Sequence, residues 1–211
     1  MLQIFHTLLD PIVIIKALGL AGVLFIVFAE SGLFFGFFFP GDSLLFTAGF
    51  LASQGLLSPA WLFAGAFVAA VVGDSVGYAF GKKIGPKIFT KEDSFFFGKR
   101  HIERSERFYE KYGKKTIILA RFIPVVRTFA PILAGVGNMS YRVFISYNVI
   151  GGLLWSVGVT ALGYGLGAVV PNAGSYITPI VVVIIVVSVI PPIREYLISR
   201  RKEEKEKGRK A

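Results

Sequence analysis

The sequence predicts an all-α membrane protein, a polytopic helical bundle with two inverted repeats, each a re-entrant broken-helix hairpin followed by transmembrane helices. Composition comes first: 54% of the 211 residues are hydrophobic, only 17% are charged, and mean hydropathy is +0.66, far too apolar for a soluble domain of this length. The apolar residues also gather into six blocks, 12–29, 33–57, 60–80, 116–136, 143–170 and 176–197. Several reach the roughly 20 residues a spanning helix needs, and none shows the alternation of a membrane β-barrel. Finally, matching landmarks recur at a constant offset in the two halves.

Residues 1–10 lack a basic n-region and a clear cleavage site, so no removable signal peptide is expected. Block 12–29 either spans fully or forms one arm of the hairpin that follows. Block 33–57 is interrupted at Phe39-Pro40-Gly41-Asp42, where a helix must break and restart. Block 60–80 is a span that ends at a basic loop.

The net charge of +10 is concentrated in two places. Residues 82–115 hold 11 Lys/Arg against 5 acids, and residues 194–211 hold 8 against 4. Both flank apolar spans, which points to positive-inside topology and attraction to anionic lipid rather than to nucleic acid. In the loop, apolar positions 95, 102, 109 and 112 share a helical face, so a helix lying on the inner membrane surface is expected. Cysteine is absent, and His6 and His101 fall outside the apolar blocks. Lys16 and Arg142 read as interface anchors.

If both basic segments are cytoplasmic, the three apolar blocks between them cannot all cross. The exception is 116–136, which contains Arg121, Pro124, Arg127 and Pro131 and ends in Gly135-Val136-Gly137-Asn138. Broken backbone at membrane depth is tolerated where protein or water covers it, which describes a hairpin dipping in from the cytoplasm. Block 143–170 then goes out, turns at residues 171–174, and 176–197 returns.

Ala48-Gly49 is followed 28 residues later by Gly77-Tyr78-x-x-Gly81, and Ala134-Gly135 is followed 28 residues later by Gly163-Tyr164-x-x-Gly167. Both landmarks are displaced by 86 residues. The charge pattern makes the copies inverted, a recurring transporter plan in which broken helices meet at mid-membrane. The expected organisation is a first repeat over 1–81, a basic cytoplasmic loop over 82–115, a second repeat over 116–198 and a basic cytoplasmic tail over 199–211.

Five ionisable side chains lie within the apolar blocks: Glu30, Asp42, Asp74, Arg121 and Arg127. A charge at the bilayer centre costs roughly 2.5–3.5 kcal/mol on insertion scales, so such residues are expected to pair and to serve a site. If the hairpins meet, Glu30 and Asp42 from one face Arg121 and Arg127 from the other. Three carboxylates against two guanidiniums leave one carboxylate without a cation, a natural proton carrier. The planar guanidinium also matches phosphate oxygens, so Arg121 and Arg127 are candidates for an anionic lipid headgroup. Pro40, Gly41, Pro124 and Gly135 are expected to break helices and shape the site, although the plainer role of each is to make a turn. The plainer role of the charges themselves is a set of structural ion pairs.

The segments Phe28-Ala29-Glu30-Ser31-Gly32, Pro40-Gly41-Asp42 and Arg121-Phe122-Ile123-Pro124-Val125-Val126-Arg127-Thr128, with Ala134-Gly135 downstream, resemble the DedA family, also described as the SNARE-associated or VTT domain family. The resemblance covers approximately residues 10–200. It implies a bacterial or archaeal inner-membrane protein with paired re-entrant hairpins that moves lipids between leaflets, with undecaprenyl phosphate and phospholipids as proposed cargoes and dependence on proton motive force in some members. Glu30 and Asp42 match the family's essential acidic pair, and Arg121 and Arg127 its essential arginines. Asp42 stands where many members carry Glu, and residues 34–39 are unusually rich in Phe.

The expected function is therefore translocation of an anionic lipid such as a polyprenyl phosphate or a phospholipid, either coupled to protons or passive. Membrane lipids and protons are the expected partners, and no cofactor, metal or nucleic acid is expected. Rival functions are proton-coupled antiport of small cations or drugs, and a purely structural membrane protein. A lipid phosphatase is disfavoured: no histidine adjoins the charged cluster, there is no cysteine, and no nucleophile–base constellation appears.

Overall fold

A computed structural model describes residues 11–33, 36, 39–88 and 115–169. Among them there is no strand, and every regular element is helical. The predicted loop helix, the last span 176–197, the tail 199–211, both histidines and most of the Phe-rich stretch lie outside the described residues.

Helix α1 (Pro11–Gly32) is interrupted at Gly19, whose φ of 60° and ψ of −155° are not helical. Glycine accepts this left-handed φ at little steric cost, so the helix changes direction there. The chain leaves α1 through successive turn hydrogen bonds, Leu33 to Ala29, Gly36 to Leu33 and Phe39 to Gly36. It restarts as α2 (Gly41–Ser53), where the Pro40 carbonyl accepts from the Leu44 N–H at 2.8 Å and the Ser43 hydroxyl at 2.9 Å. α1 and α2 thus make a helical hairpin broken at Pro40-Gly41. The straight part of α1 after Gly19 and the whole of α2 are each about 20 Å long.

Helix α3 (Pro59–Ile88) has 30 residues, continuing past the expected 81/82 boundary into the basic segment. Proline at its first position costs no hydrogen bond, because that N–H has no helical partner. The second broken segment consists of α4 (Thr116–Ala120) and α5 (Pro124–Val136), separated by Arg121-Phe122-Ile123. Pro124 opens α5 as the sequence suggests. Pro131 does not break it, and α5 runs on past Gly135 to end at Gly137 and the positive-φ Asn138. Helix α6 (Tyr141–Gly152) continues through a π-helical turn (Leu153–Val157) into α7 (Gly158–Val169). Only α3 over Pro59–Ile84 and the continuous run Tyr141–Val169 are long and apolar enough among the described residues to cross a membrane.

The helices pack through small residues, as expected where lipid supplies no hydrophobic drive between helices. A Cβ at Gly49 of α2 would collide with the Thr160 carbonyl of α7, and one at Gly163 of α7 with the Phe46 carbonyl of α2. The same exchange joins α5 and α3: Gly135 abuts the Tyr78 carbonyl and Gly81 abuts that of Ile132. Each Ala-Gly landmark thus lies on the helix bearing the other half's Gly-Tyr landmark. The larger apolar core includes Val23, Val27, Leu44, Leu45, Leu62 and Trp155, and a smaller one joins Tyr78, Ile117, Ala134 and Phe144. Trp61, Phe25 and Leu162 project outward, at 71%, 65% and 69% exposure. An apolar exterior of this kind suits contact with lipid.

Candidate functional site

Glu30 lies near the end of α1 and Asp42 in the first turn of α2, where the helix N-terminus favours negative charge. Arg127, near the start of α5, reaches both. Its Nη2 pairs with Glu30 Oε1 and its Nη1 with Asp42 Oδ1 at 2.7 Å. One planar fork therefore ties together both arms of the first hairpin and the longer helix of the second broken segment. Glu30 and Arg127 are buried, whereas the Asp42 side chain keeps 22% of its surface exposed.

Trp155, on the π-turn, completes this cluster. Its indole N–H donates to the same Asp42 oxygen at 2.7 Å, and its ring lies 4.6 Å from the Arg127 guanidinium carbon, within cation–π range. The backbone of Gly41 makes room on the other side. A Cβ there would overlap Glu30 Oε2, so any larger residue pushes the carboxylate away from its place beside Arg127. Gly41→Ala is expected to lower stability by about 2 kcal/mol through this overpacking, measured as a lower melting temperature of the protein in detergent.

Arg121, in the break between α4 and α5, belongs to a separate buried cluster. Its Nη2 donates to Asp74 Oδ2 of α3 and to Asn148 Oδ1 of α6, with the Ala70 carbonyl at 3.4 Å. Asn148 is oriented by its own Nδ2, which donates to the Val71 carbonyl at 3.0 Å. Arg121 passes close to Gly151, where a Cβ would lie 2.8 Å from Arg121 Cδ. This cluster ties the break to the two long membrane-length helices.

The pairing differs from the charge count in one respect. No carboxylate of the three lacks a cation: Glu30 and Asp42 share Arg127, and Asp74 has Arg121. Gly135 is also not at the cluster; its nearest neighbours are Tyr78 and Lys82 backbone atoms, so its smallness serves helix packing. Sequence reasoning missed Asn148 and Trp155. An amide within an apolar span and a tryptophan at mid-span, away from the interfacial belts where tryptophan concentrates, were the available signals.

A helical membrane protein with two buried carboxylate–guanidinium clusters at its helix breaks is the class these features define. Residues 39–165 match the VTT domain family. The chain is 46% identical over 178 residues to Protein DedA of Escherichia coli K12, covering 83% of this chain and 81% of that one. It is 44% identical over 199 residues to an uncharacterized membrane protein of Mycobacterium tuberculosis H37Rv, covering 88% and 85%. A membrane protein of Mycobacterium leprae is 44% identical over 174 residues, covering 82% and 78%. No solved structure gives a significant match. The chain belongs to the DedA family of VTT-domain membrane proteins.

Proposed function

We propose that the protein is a lipid translocase that carries an anionic headgroup, of a polyprenyl phosphate or a phospholipid, across the bilayer on Arg127 while the acyl tails stay in lipid. The observation that carries this is one buried guanidinium shared by two carboxylates from the two arms of a helical hairpin. A phosphate has the geometry to replace a carboxylate on that fork, and partly exposed Asp42 is the partner that yields first. Two carboxylates held by the single Arg127 guanidinium leave that cluster able to accept one proton, which would weaken a carboxylate's hold on Arg127 and couple exchange to a proton gradient.

In this reading the α1–α2 hairpin and the α4–α5 segment are re-entrant, entering from opposite faces, as straight arms of about 20 Å or less fall short of a hydrocarbon core of about 30 Å. The reciprocal glycine packing of α2 on α7 and α5 on α3 supports inverted repeats. The basic segments 82–115 and 199–211 lie in the cytoplasm, the protein sitting in the cell's inner membrane.

The test is movement of labelled phosphatidylglycerol and polyprenyl phosphate in liposomes, with and without a proton gradient, for wild type and Glu30→Gln. Acceleration by the gradient in wild type, lost in Glu30→Gln, is expected. Gradient-driven movement of small cations without lipid movement would favour antiport.

A further inference from the structure

The Arg127 cluster contains one group that the exchange just described does not use. Trp155 donates its indole N–H to Asp42 Oδ1, the same oxygen that accepts from Arg127 Nη1, each at 2.7 Å. The guanidinium carbon of Arg127 also lies over the indole ring, 4.6 Å from the centroid. With 2% of its surface exposed, Trp155 can serve both partners only from within the protein.

This arrangement answers a difficulty in the exchange. If a phosphate takes the Arg127 edge now bound to Asp42, the carboxylate is left in a largely buried setting without its cation, and such an unpaired group is costly. Trp155 offers a partner already in place: the indole N–H holds Asp42 after the guanidinium leaves it. The ring meanwhile keeps the guanidinium plane fixed, leaving its N–H edges for incoming oxygens. The π-turn that carries Trp155 is flanked by Gly151-Gly152 and Gly158, and a Cβ at Gly158 would meet nothing within 4 Å. Single π-turns within α-helices are frequent at functional sites.

We infer that Trp155 is a positioning residue that retains Asp42 when a phosphate-bearing lipid headgroup replaces it on Arg127, and so sets the affinity for that headgroup. The inference rests on the lipid-translocation reading, but binding can be tested apart from movement. The protein contains two tryptophans, Trp61 and Trp155, and outward-facing Trp61 can be replaced. In a Trp61→Phe protein in nanodiscs, Trp155 emission should shift as phosphatidylglycerol replaces phosphatidylcholine, and Arg127→Gln should abolish the shift. In liposomes, Trp155→Phe keeps a ring but loses the N–H; the half-saturating fraction of phosphatidylglycerol should rise about tenfold, with a smaller change in maximal rate.

An emission shift in a protein that moves no lipid would uphold the role of Trp155 in headgroup binding and overturn translocation. Lipid movement with no emission shift, or with an unchanged half-saturating fraction in folded Trp155→Phe, would overturn the inference and leave translocation standing. A fall in maximal rate alone would also overturn it, since that is what a merely structural tryptophan produces.

Discussion

Arg127→Gln is expected to reduce lipid movement by roughly thirtyfold or more, as follows from the 2–5 kcal/mol lost when one partner of a buried charge pair is truncated. The substitution removes the cation that both Glu30 and Asp42 contact. It leaves two carboxylates close together, one of them fully buried, and this should cost about 3–5 kcal/mol of stability. Stability and transport can be separated by neutralising the whole cluster. The triple variant Arg127→Gln, Glu30→Gln, Asp42→Asn should recover much of the lost melting temperature in detergent while still failing to move lipid. A triple variant that regains transport along with stability would mean that the cluster only holds helices together.

The second large effect is expected at the other cluster, with the opposite pattern. Asp74→Asn leaves Arg121 as a buried cation whose remaining partners are neutral, Asn148 and the Ala70 carbonyl. The expected loss is about 3–5 kcal/mol of stability, the usual result of breaking a buried pair from one side. Replacing the whole group by apolar residues, as in Asp74→Leu, Arg121→Met, Asn148→Val, should bring stability back to within about 2 kcal/mol of wild type, because the desolvation cost of both charges disappears. The amount of folded protein recovered from membranes and its melting temperature provide the check. Lipid movement by Asp74→Asn should fall in proportion to the folded protein recovered.

Much of this arrangement was legible in the sequence because bilayers impose severe rules. Glu30, Asp42, Asp74, Arg121 and Arg127 stand out against apolar blocks, and Pro40-Gly41 and Pro124 mark places where helices must stop and restart. The recurring Ala-Gly and Gly-Tyr-x-x-Gly landmarks contain Gly49, Gly81, Gly135 and Gly163, which pack against helices of the opposite half. What could not be read was the pairing itself. Residues 85 apart in sequence, Asp42 and Arg127, meet through tertiary packing, and charge counting treats every acid as equivalent. Nor does a count show that a forked guanidinium can bind two carboxylates, leaving none without a cation.

The quieter residues were hidden for related reasons. Gly41 looks like a turn residue, but it also clears space for the Glu30 carboxylate, which depends on a side chain from another helix. Pro131 looks like a breaker, yet a helix supported by its neighbours tolerates the missing N–H. Trp155 reads as one more apolar residue in a long span. Its importance comes from the π-turn that aims it at Asp42, and no spacing rule announces such a turn.

The most direct measurement is the leaflet-to-leaflet movement of fluorescently labelled phosphatidylglycerol in liposomes containing the purified wild-type protein, followed by chemical quenching of label in the outer leaflet. If Arg127 carries an anionic headgroup through the membrane, quenching should pass well beyond the outer-leaflet half of the label, at a rate that rises with protein density and is absent from protein-free vesicles. Quenching that stops at the outer-leaflet half, with folded protein verified in the same vesicles and polyprenyl phosphate equally immobile, would contradict lipid translocation.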